Sequence, residues 1–277
     1  DVCEILVERG ANRRAKTRDG YTALMACAKD GHADVAALLL DGVNPDFVAD
    51  ATADGYTALL AACNYGHVEV ARLLLDHGAD VDGCLGDGWS ALMAACCHGS
   101  REVASLLLER GADPQRKDGG GYTALLCAAS QGRAECAFLL LERGVDVEAK
   151  DRNGDTALGV AALCGHALVV EILLDHGADA SRADAEDGCT PLMNAAYGAN
   201  ADVTRVLVRR QPQCVEMRDD LGRTALMIAA EAGAARHASD ARGRAARVAH
   251  HLLRHGASTN ASALDGRTAV HLAAQHG

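Results

Sequence analysis

Apolar residues in this chain come in short bursts at helical spacing. Polar turn residues cut each burst off after about two turns. Residues 54–82, DGYTALLAACNYGHVEVARLLLDHGADVD, show the pattern once through. Asp54-Gly55 is a turn dipeptide. Thr57 then stands where a helix N-cap belongs, its hydroxyl able to accept from the exposed amides of the first turn. Leu59, Ala62 and Cys63 follow at i, i+3 and i+4, which makes one apolar face. Gly66 ends this helix as a left-handed cap. A second helix carries Val70, Leu73 and Leu74 at the same spacing, and Gly78 ends that one.

The phrase recurs along the chain. DGYTALMACAKDGH stands at 19–32 and DGWSALMAACCHG at 87–99. The capping hydroxyl returns as Thr22, Thr57, Ser90, Thr123, Thr156, Thr190, Thr224 and Thr268, at spacings of 35, 33, 33, 33, 34, 34 and 44 residues. Helices this short fall below the roughly 12–15 residues at which an isolated helix becomes even marginal. Neighbouring units must therefore stack to bury a shared core, and the period decides the architecture before any local detail does.

The 33-residue period, TPLMNAA at 190–196, TAVHLAA at 268–274 and LLLDHGADV at 73–81 together resemble the ankyrin repeat family. The family's TPLHxA pattern is matched loosely: only Pro191 fills the proline place and only His271 the histidine place. The resemblance implies an all-α ankyrin-repeat solenoid of stacked helix-turn-helix units with β-hairpin loops. It covers residues 1–277 as one array of about seven full repeats with a half repeat at each end. The half repeats are 1–18 and 265–277. The full repeats are 19–53, 54–86, 87–119, 120–152, 153–186, 187–220 and 221–264. DVCEILVERG at the start aligns with the second helix EVARLLLDHG at 69–78, and HLAAQHG at the end stops with a first helix. Solenoid ends normally carry polar caps, so the expectation is an excerpt from a longer array.

Composition narrows the picture. Apolar residues make up 49% of the chain and aromatics only 3%, so Leu, Val and Ala must build the core. Four prolines and 23% charged residues argue against extensive disorder. The eleven cysteines are odd in number, include no CxxC pair and mostly sit in apolar helical patterns. Small buried thiols in a reducing compartment fit better than a disulfide framework. No apolar run approaches the roughly 18–20 residues of a membrane span, and DVCEILVERG does not resemble a signal peptide. The expected location is intracellular and cytoplasmic, with the nucleus open.

Chemistry is sparse. There is no GxxxxGK[ST], HExxH or GxSxG, and Gly83, Gly86 and Gly88 lie outside any parallel-sheet unit. Cys96-Cys97-His98 invites a metal or thiol reading. Cys96, however, occupies the small core place of Cys63 and Ala129, leaving Cys97 and His98 on the inner side of the helix, too few for a zinc site. No catalytic residue, cofactor or metal is expected. Gly31-His32, Gly66-His67 and Gly165-His166 recur at one phase, and their histidines are expected to tie down turns.

The resemblance implies a concave face built from hairpin tips and first helices. Its exposed places lie one, three and four residues before the repeat hydroxyl and seven and eight after it. The place just before holds Tyr21, Tyr56, Trp89 and Tyr122 in consecutive units, then Asp155, Cys189, Arg223 and Arg267. Tyr65, His98 and Tyr197 occupy the later places, and Asp19, Asp54 and Asp87 stand at the tips beside the aromatics. Two readings stand here, contact with a partner and packing on the adjacent hairpin; the aspartates serve either a partner or their own turns. Residues 1–199 carry a net charge of −15 and residues 200–277 a net of +4. An acidic, aromatic groove favours a basic or amphipathic segment and repels nucleic acid. The function expected is therefore a non-enzymatic protein-interaction module, a scaffold or adaptor binding a peptide or domain through Tyr21, Tyr56, Tyr65, Trp89, Tyr122, Asp19, Asp54, Asp87 and His98. Alternatives are the recruiting array of a larger enzyme or channel, and a thiol or metal sensor. Oligomeric state is left open.

Two stretches break the period. VNPDFVADATA at 43–53 is long and carries Phe47. An insertion within 234–249 adds Arg236, Arg242, Arg244 and Arg247. It is expected to form a loop, read either as a solvated linker or as a basic contact for phosphate, an acidic peptide or an anionic membrane.

Overall fold

The computed structural model describes residues 2–42, 45–235 and 239–276, with backbone only for residues 45, 233–235, 239–242 and 276. Its contacts divide the chain into two units, residues 1–128 with 142–145, and residues 129–141 with 146–277. The first unit holds α1 (Val2–Glu8), α2 (Ala23–Asp30), α3 (Ala33–Leu40), α4 (Ala58–Tyr65), α5 (Val68–Asp76), α6 (Ala91–His98) and α7 (Arg101–Glu109). Helices α8 (Ala124–Ser130) and α9 (Ala134–Glu142) contribute residues to both. The second unit holds α10 (Ala157–Cys164), α11 (Ala167–Asp175), α12 (Pro191–Tyr197), α13 (Ala201–Arg210), α14 (Ala225–Ala235), α15 (Ser239–Arg254) and α16 (Ala269–His276).

The repeated hydroxyl sets where each first helix begins. Thr22, Thr57 and Ser90 take an extended backbone and accept from the amides of Met25, Leu60 and Met93 at 3.2 Å. Thr123, Thr156 and Thr190 do the same at 3.3–3.4 Å. Each bond satisfies one of the four donors a helix start leaves open. Two places depart from this: the Thr224 hydroxyl is buried and has no partner, and the Thr268 hydroxyl lies 2.9 Å from Nδ1 of His271. The first helices end where Gly31, Gly66, Gly99 and Gly165 enter the left-handed region at φ 77°, 75°, 96° and 85°. In α12 the left-handed residue is Ala199, at φ 55°, with Gly198 still right-handed. Second helices close differently, with the ring Nδ1 of His77 and His176 2.8 Å from the carbonyls of Leu73 and Ile172 one turn back.

Stacking repeats one interface. In the first unit α2 packs on α4 and α4 on α6, with α3 on α5 and α5 on α7 behind them. In the second unit α10, α12, α14 and α16 form the front row, and α11, α13 and α15 the back row. Small side chains allow the close approach: Ala61, Ala62, Ala94 and Ala95 are buried, as are Ala161, Ala162, Ala195 and Ala196. Leu60, Leu74, Leu92 and Leu107 fill the first core; Leu158, Leu173, Leu192 and Leu207 fill the second. The expected β-hairpins are single antiparallel bridges, such as Ala51 with Thr57 and Lys150 with Thr156. Their tips are joined by backbone bonds, from Gly86 N–H to the Asp54 carbonyl at 2.9 Å and from Asp220 N–H to the Asp187 carbonyl at 3.0 Å.

Both irregular stretches are built into the stack. Residues 43 and 44 lie outside the described residues, but Phe47 is only 6% exposed. The nearby Asp50 is held by Arg14 and Lys16 at 2.6 and 2.8 Å. Burial alone would raise the Asp50 carboxyl, yet these two cations hold it below the usual carboxylate range. The insertion is not a loop where it is described. It lengthens α14 to 11 residues and α15 to 16, against 7–10 in the other helices. Arg236 lies outside the described residues and Arg242 is described by backbone only; Arg244 and Arg247 are exposed on α15. The Ala-rich run AARVAHHLL explains the outcome, since Ala and Leu favour a helix once one face, here Ala245, Val248 and Leu252, can be buried.

Candidate partner-binding surface

Among the described residues no three His, Cys, Asp or Glu side chains are placed to hold a metal ion. All eleven cysteines are thiols, and Cys63, Cys96, Cys127 and Cys136 are core residues. Burial pushes the thiols of Cys27 and Cys189 up to about 11 and raises those of Cys63 and Cys127 as well. A sensor thiol needs the opposite shift, toward the thiolate. Cys97 is half-buried and His98 exposed at the end of α6.

Two of the recurring histidines, His67 and His166, link neighbouring repeats. His67 stands at the N-cap of α5, and its ring Nε2 lies 2.9 Å from the Lys29 carbonyl near the end of α2. His166 does the same to the Ser130 carbonyl at 3.0 Å. At the N-cap of α13 Asn200 stands in this place, donating to the Ala162 and Leu163 carbonyls at 2.9 and 2.7 Å. Each reaches a carbonyl left open at the end of the preceding first helix.

Three aromatic side chains of the first unit, Tyr21, Tyr56 and Tyr65, share one neighbourhood. Tyr21 and Tyr56 stack with ring centroids 6.3 Å apart, and the Tyr21 hydroxyl donates to the Met25 carbonyl. Burial, with Tyr21 and Tyr65 adding to it, pushes the Tyr56 phenol up to about 12. Tyr65 is 42% exposed; the Lys29 ammonium stands 5.8 Å from its ring centre and His67 stacks against it. Trp89 and Tyr122 are half-buried just before α6 and α8. Asp19, Asp54 and Asp87 are exposed at the tips. Asp54 accepts from the Thr52 hydroxyl, which holds its carboxyl down, and Asp87 accepts from the Trp89 amide at 3.0 Å. These two carboxylates shape their own turns while still facing solvent.

The second unit carries a feature that the residue pattern did not single out. A cavity of about 560 Å³ opens between the hairpin tips before α10, α12 and α14 and the helices themselves. Asp155, Cys189 and Arg223 line it from the place just before the hydroxyl; Leu163, Tyr197 and Glu231 line it from the place seven after. Asp184, Glu186 and Asp187 add the acidic tip, and Met193 and Ile228 the floor. Arg223 is committed to Asp219 at 2.7 Å and Glu231 at 3.1 Å. Burial first, and then Asp151, Asp184 and Glu186, push the Asp155 carboxyl up to about 6. The signal was present in the run Asp184-Ala185-Glu186-Asp187, whose Glu186 and Asp187 fill the exposed places four and three before the hydroxyl, the latter being the place of Asp19, Asp54 and Asp87 in the first unit.

Comparison with known proteins follows the same repeat. A family model described as three copies of the ankyrin repeat matches residues 42–118, 112–184 and 181–242, and a single-repeat model matches residues 19–50. The crystal structure of the human ASB11 ankyrin repeat domain is similar, with 29% identity and a TM-score of 0.72 over 86% of this chain and 99% of that one. No curated protein matches the chain.

Proposed function

We propose, for a chain that belongs to the ankyrin repeat family, a protein-interaction fold, that it is an adaptor or scaffold whose first unit docks a partner segment across Tyr21, Tyr56, Tyr65, Trp89 and Tyr122. Asp19, Asp54, Asp87 and His98 flank that surface. Docking is reversible and makes or breaks no covalent bond. The partner is a basic or amphipathic protein segment, steered by the net −15 of residues 1–199 and poorly matched by nucleic acid. One observation carries the reading: the stacked Tyr21–Tyr56 pair with Tyr65 beside it, amphipathic rings of the kind enriched at binding hot spots. The many thiols fit an intracellular, reducing compartment, and no described helix is long and apolar enough to cross a membrane.

The test is a quantitative pull-down from cell lysate with the wild-type chain and the Trp89→Ala, Tyr122→Ala double variant, followed by affinity measurement on each protein captured. Loss of a central ring should weaken binding by about 2 kcal/mol or more. Thermal unfolding is measured beside it. A variant that loses stability while keeping every captured protein at wild-type affinity assigns these rings to packing and ends the proposal.

A further inference from the structure

The cavity of the second unit has two chemically distinct halves. Its floor and one wall are apolar, formed by Leu163, Met193, Ile228 and Tyr197, with Leu163 42% and Tyr197 60% exposed. Its rim holds five carboxylates, Asp155, Asp184, Glu186, Asp187 and Glu231, against the single guanidinium of Arg223. That guanidinium is spent on Asp219 and Glu231, so four carboxylates line the rim without it, of which Asp184 accepts from the Asp187 and Cys189 amides through one oxygen. At about 560 Å³ the cavity lies within the roughly 300–1,000 Å³ of sites that enclose a small ligand or a few side chains.

Each half excludes occupants. An anion, nucleic acid included, meets four like charges. A bare metal ion finds no set of ligands, since no three acidic or sulfur groups among the described residues converge with the required geometry. A purely apolar segment would cover carboxylates without giving them partners, at the cost of desolvating each one. A side chain with a cationic head satisfies the rim, and an apolar neighbour on the same chain satisfies the floor.

We propose that this cavity is a second docking site, specific for a protein segment that carries an arginine or lysine next to a large apolar residue: the cation sits among Asp155, Asp184, Glu186 and Asp187, and the apolar side chain lies on Leu163 and Tyr197. It rests on the proposed function only in that both surfaces take protein, and separate residues build it. Arginine is the better occupant, because its planar fork can bridge two carboxylates at once.

A dependence on pH follows from the same geometry. Asp155 faces Asp151 and Lys150 of its own hairpin, Asp184, Glu186, Asp187 and Cys189 of the next, and Arg223 and Glu231 beyond. Cys189, raised to about 11, stays neutral between pH 5 and 8. Lys150 is the least of the effects on Asp155, and burial with like charge dominates. A bound cation favours ionised Asp155, so binding should be full above about pH 6 and weaken below it.

The experiment selects a displayed library of random decapeptides on the full 277-residue chain at pH 7.5. The expected winners carry Arg or Lys within two residues of a large apolar side chain. A synthetic copy of the strongest should lose at least tenfold in affinity on Asp155→Asn, Glu186→Gln and a similar factor on Leu163→Ser. It should be unaffected by Trp89→Ala, Tyr122→Ala. Thermal unfolding guards against a folding defect. Winners without that pairing, no winners, or winners indifferent to the Asp155, Glu186 and Leu163 changes overturn the proposal. Winners lost only on the Trp89 and Tyr122 changes overturn it while leaving the proposed function standing.

Discussion

Asp155 shows what a single residue can lose by its position. Burial and three neighbouring carboxylates raise its carboxyl from 3.8 to about 6, so the folded chain holds this proton more tightly than the unfolded one. Between about pH 4 and 6 the native state therefore binds more protons, and stability falls as pH rises through that window. Above it the cost is fully present. The residue is half-buried, so solvent screening trims the penalty implied by the shift to about 1 kcal/mol. Asp155→Asn should accordingly raise stability at pH 7.5 by about that much and leave it unchanged near pH 4. Urea unfolding at the two pH values checks this, and an equal effect at both would remove the electrostatic explanation.

Among elements, the ends of the short helices do more than the helices. Gly132 and Gly177 both sit at left-handed φ, 68° and 86°, one after a first helix and one after a second. Any side chain there costs about 1–2 kcal/mol in backbone strain. At Gly132 a Cβ would also come within 2.5 Å of the His166 ring and displace its bond to the Ser130 carbonyl, while at Gly177 nothing lies within 4 Å. Gly132→Ala should therefore destabilise more than Gly177→Ala, by about 1 kcal/mol, the worth of that hydrogen bond. Equal losses in thermal unfolding would mean the histidine bridge between neighbouring repeats carries no energy. The same logic explains Asn200, whose amide makes two such bonds where no histidine stands.

Across the whole molecule the repeats are not equally well made. Toward the C-terminal end three local defects accumulate. Ala199 takes a left-handed turn that suits glycine, Gln211-Pro212 replaces the glycine that ends other second helices, and the buried Thr224 hydroxyl lacks a partner. A repeat array's stability is close to a sum of unit and interface contributions, so such a stretch can open separately. Amide hydrogen exchange should show residues 200–277 opening before residues 54–180. Uniform protection over both would mean that the longer α14 and α15 compensate for the defects. The charge balance changes over the same boundary, from a net −15 to +4. The acidic tip residues Asp19, Asp54, Asp87, Asp184, Glu186 and Asp187 and the exposed Arg244 and Arg247 thus lie on different stretches of the chain.

The repeat period, the capping threonines, the closing glycines and the core places were legible in the residues because they depend on local geometry that one unit states and the others repeat. Thr57 must cap and Gly66 must turn whatever lies beside them. The register of the cavity's lining was legible for the same reason: Asp155, Cys189 and Arg223 occupy the place that Tyr21, Tyr56, Trp89 and Tyr122 occupy elsewhere, and Leu163, Tyr197 and Glu231 all stand seven residues after the hydroxyl. What those places hold in common was not legible. Whether Tyr56 stands out as a contact or stacks half-buried on Tyr21 depends on the distance between two hairpins, which only packing sets. The insertion became helix because Ala245, Val248 and Leu252 found a surface to cover. The acidic cavity needed three repeats side by side, since burial raises Asp155 first, Asp151 of its own hairpin adds to it, and Asp184 and Glu186, about 30 residues on in sequence, add to it only once stacking has brought them near.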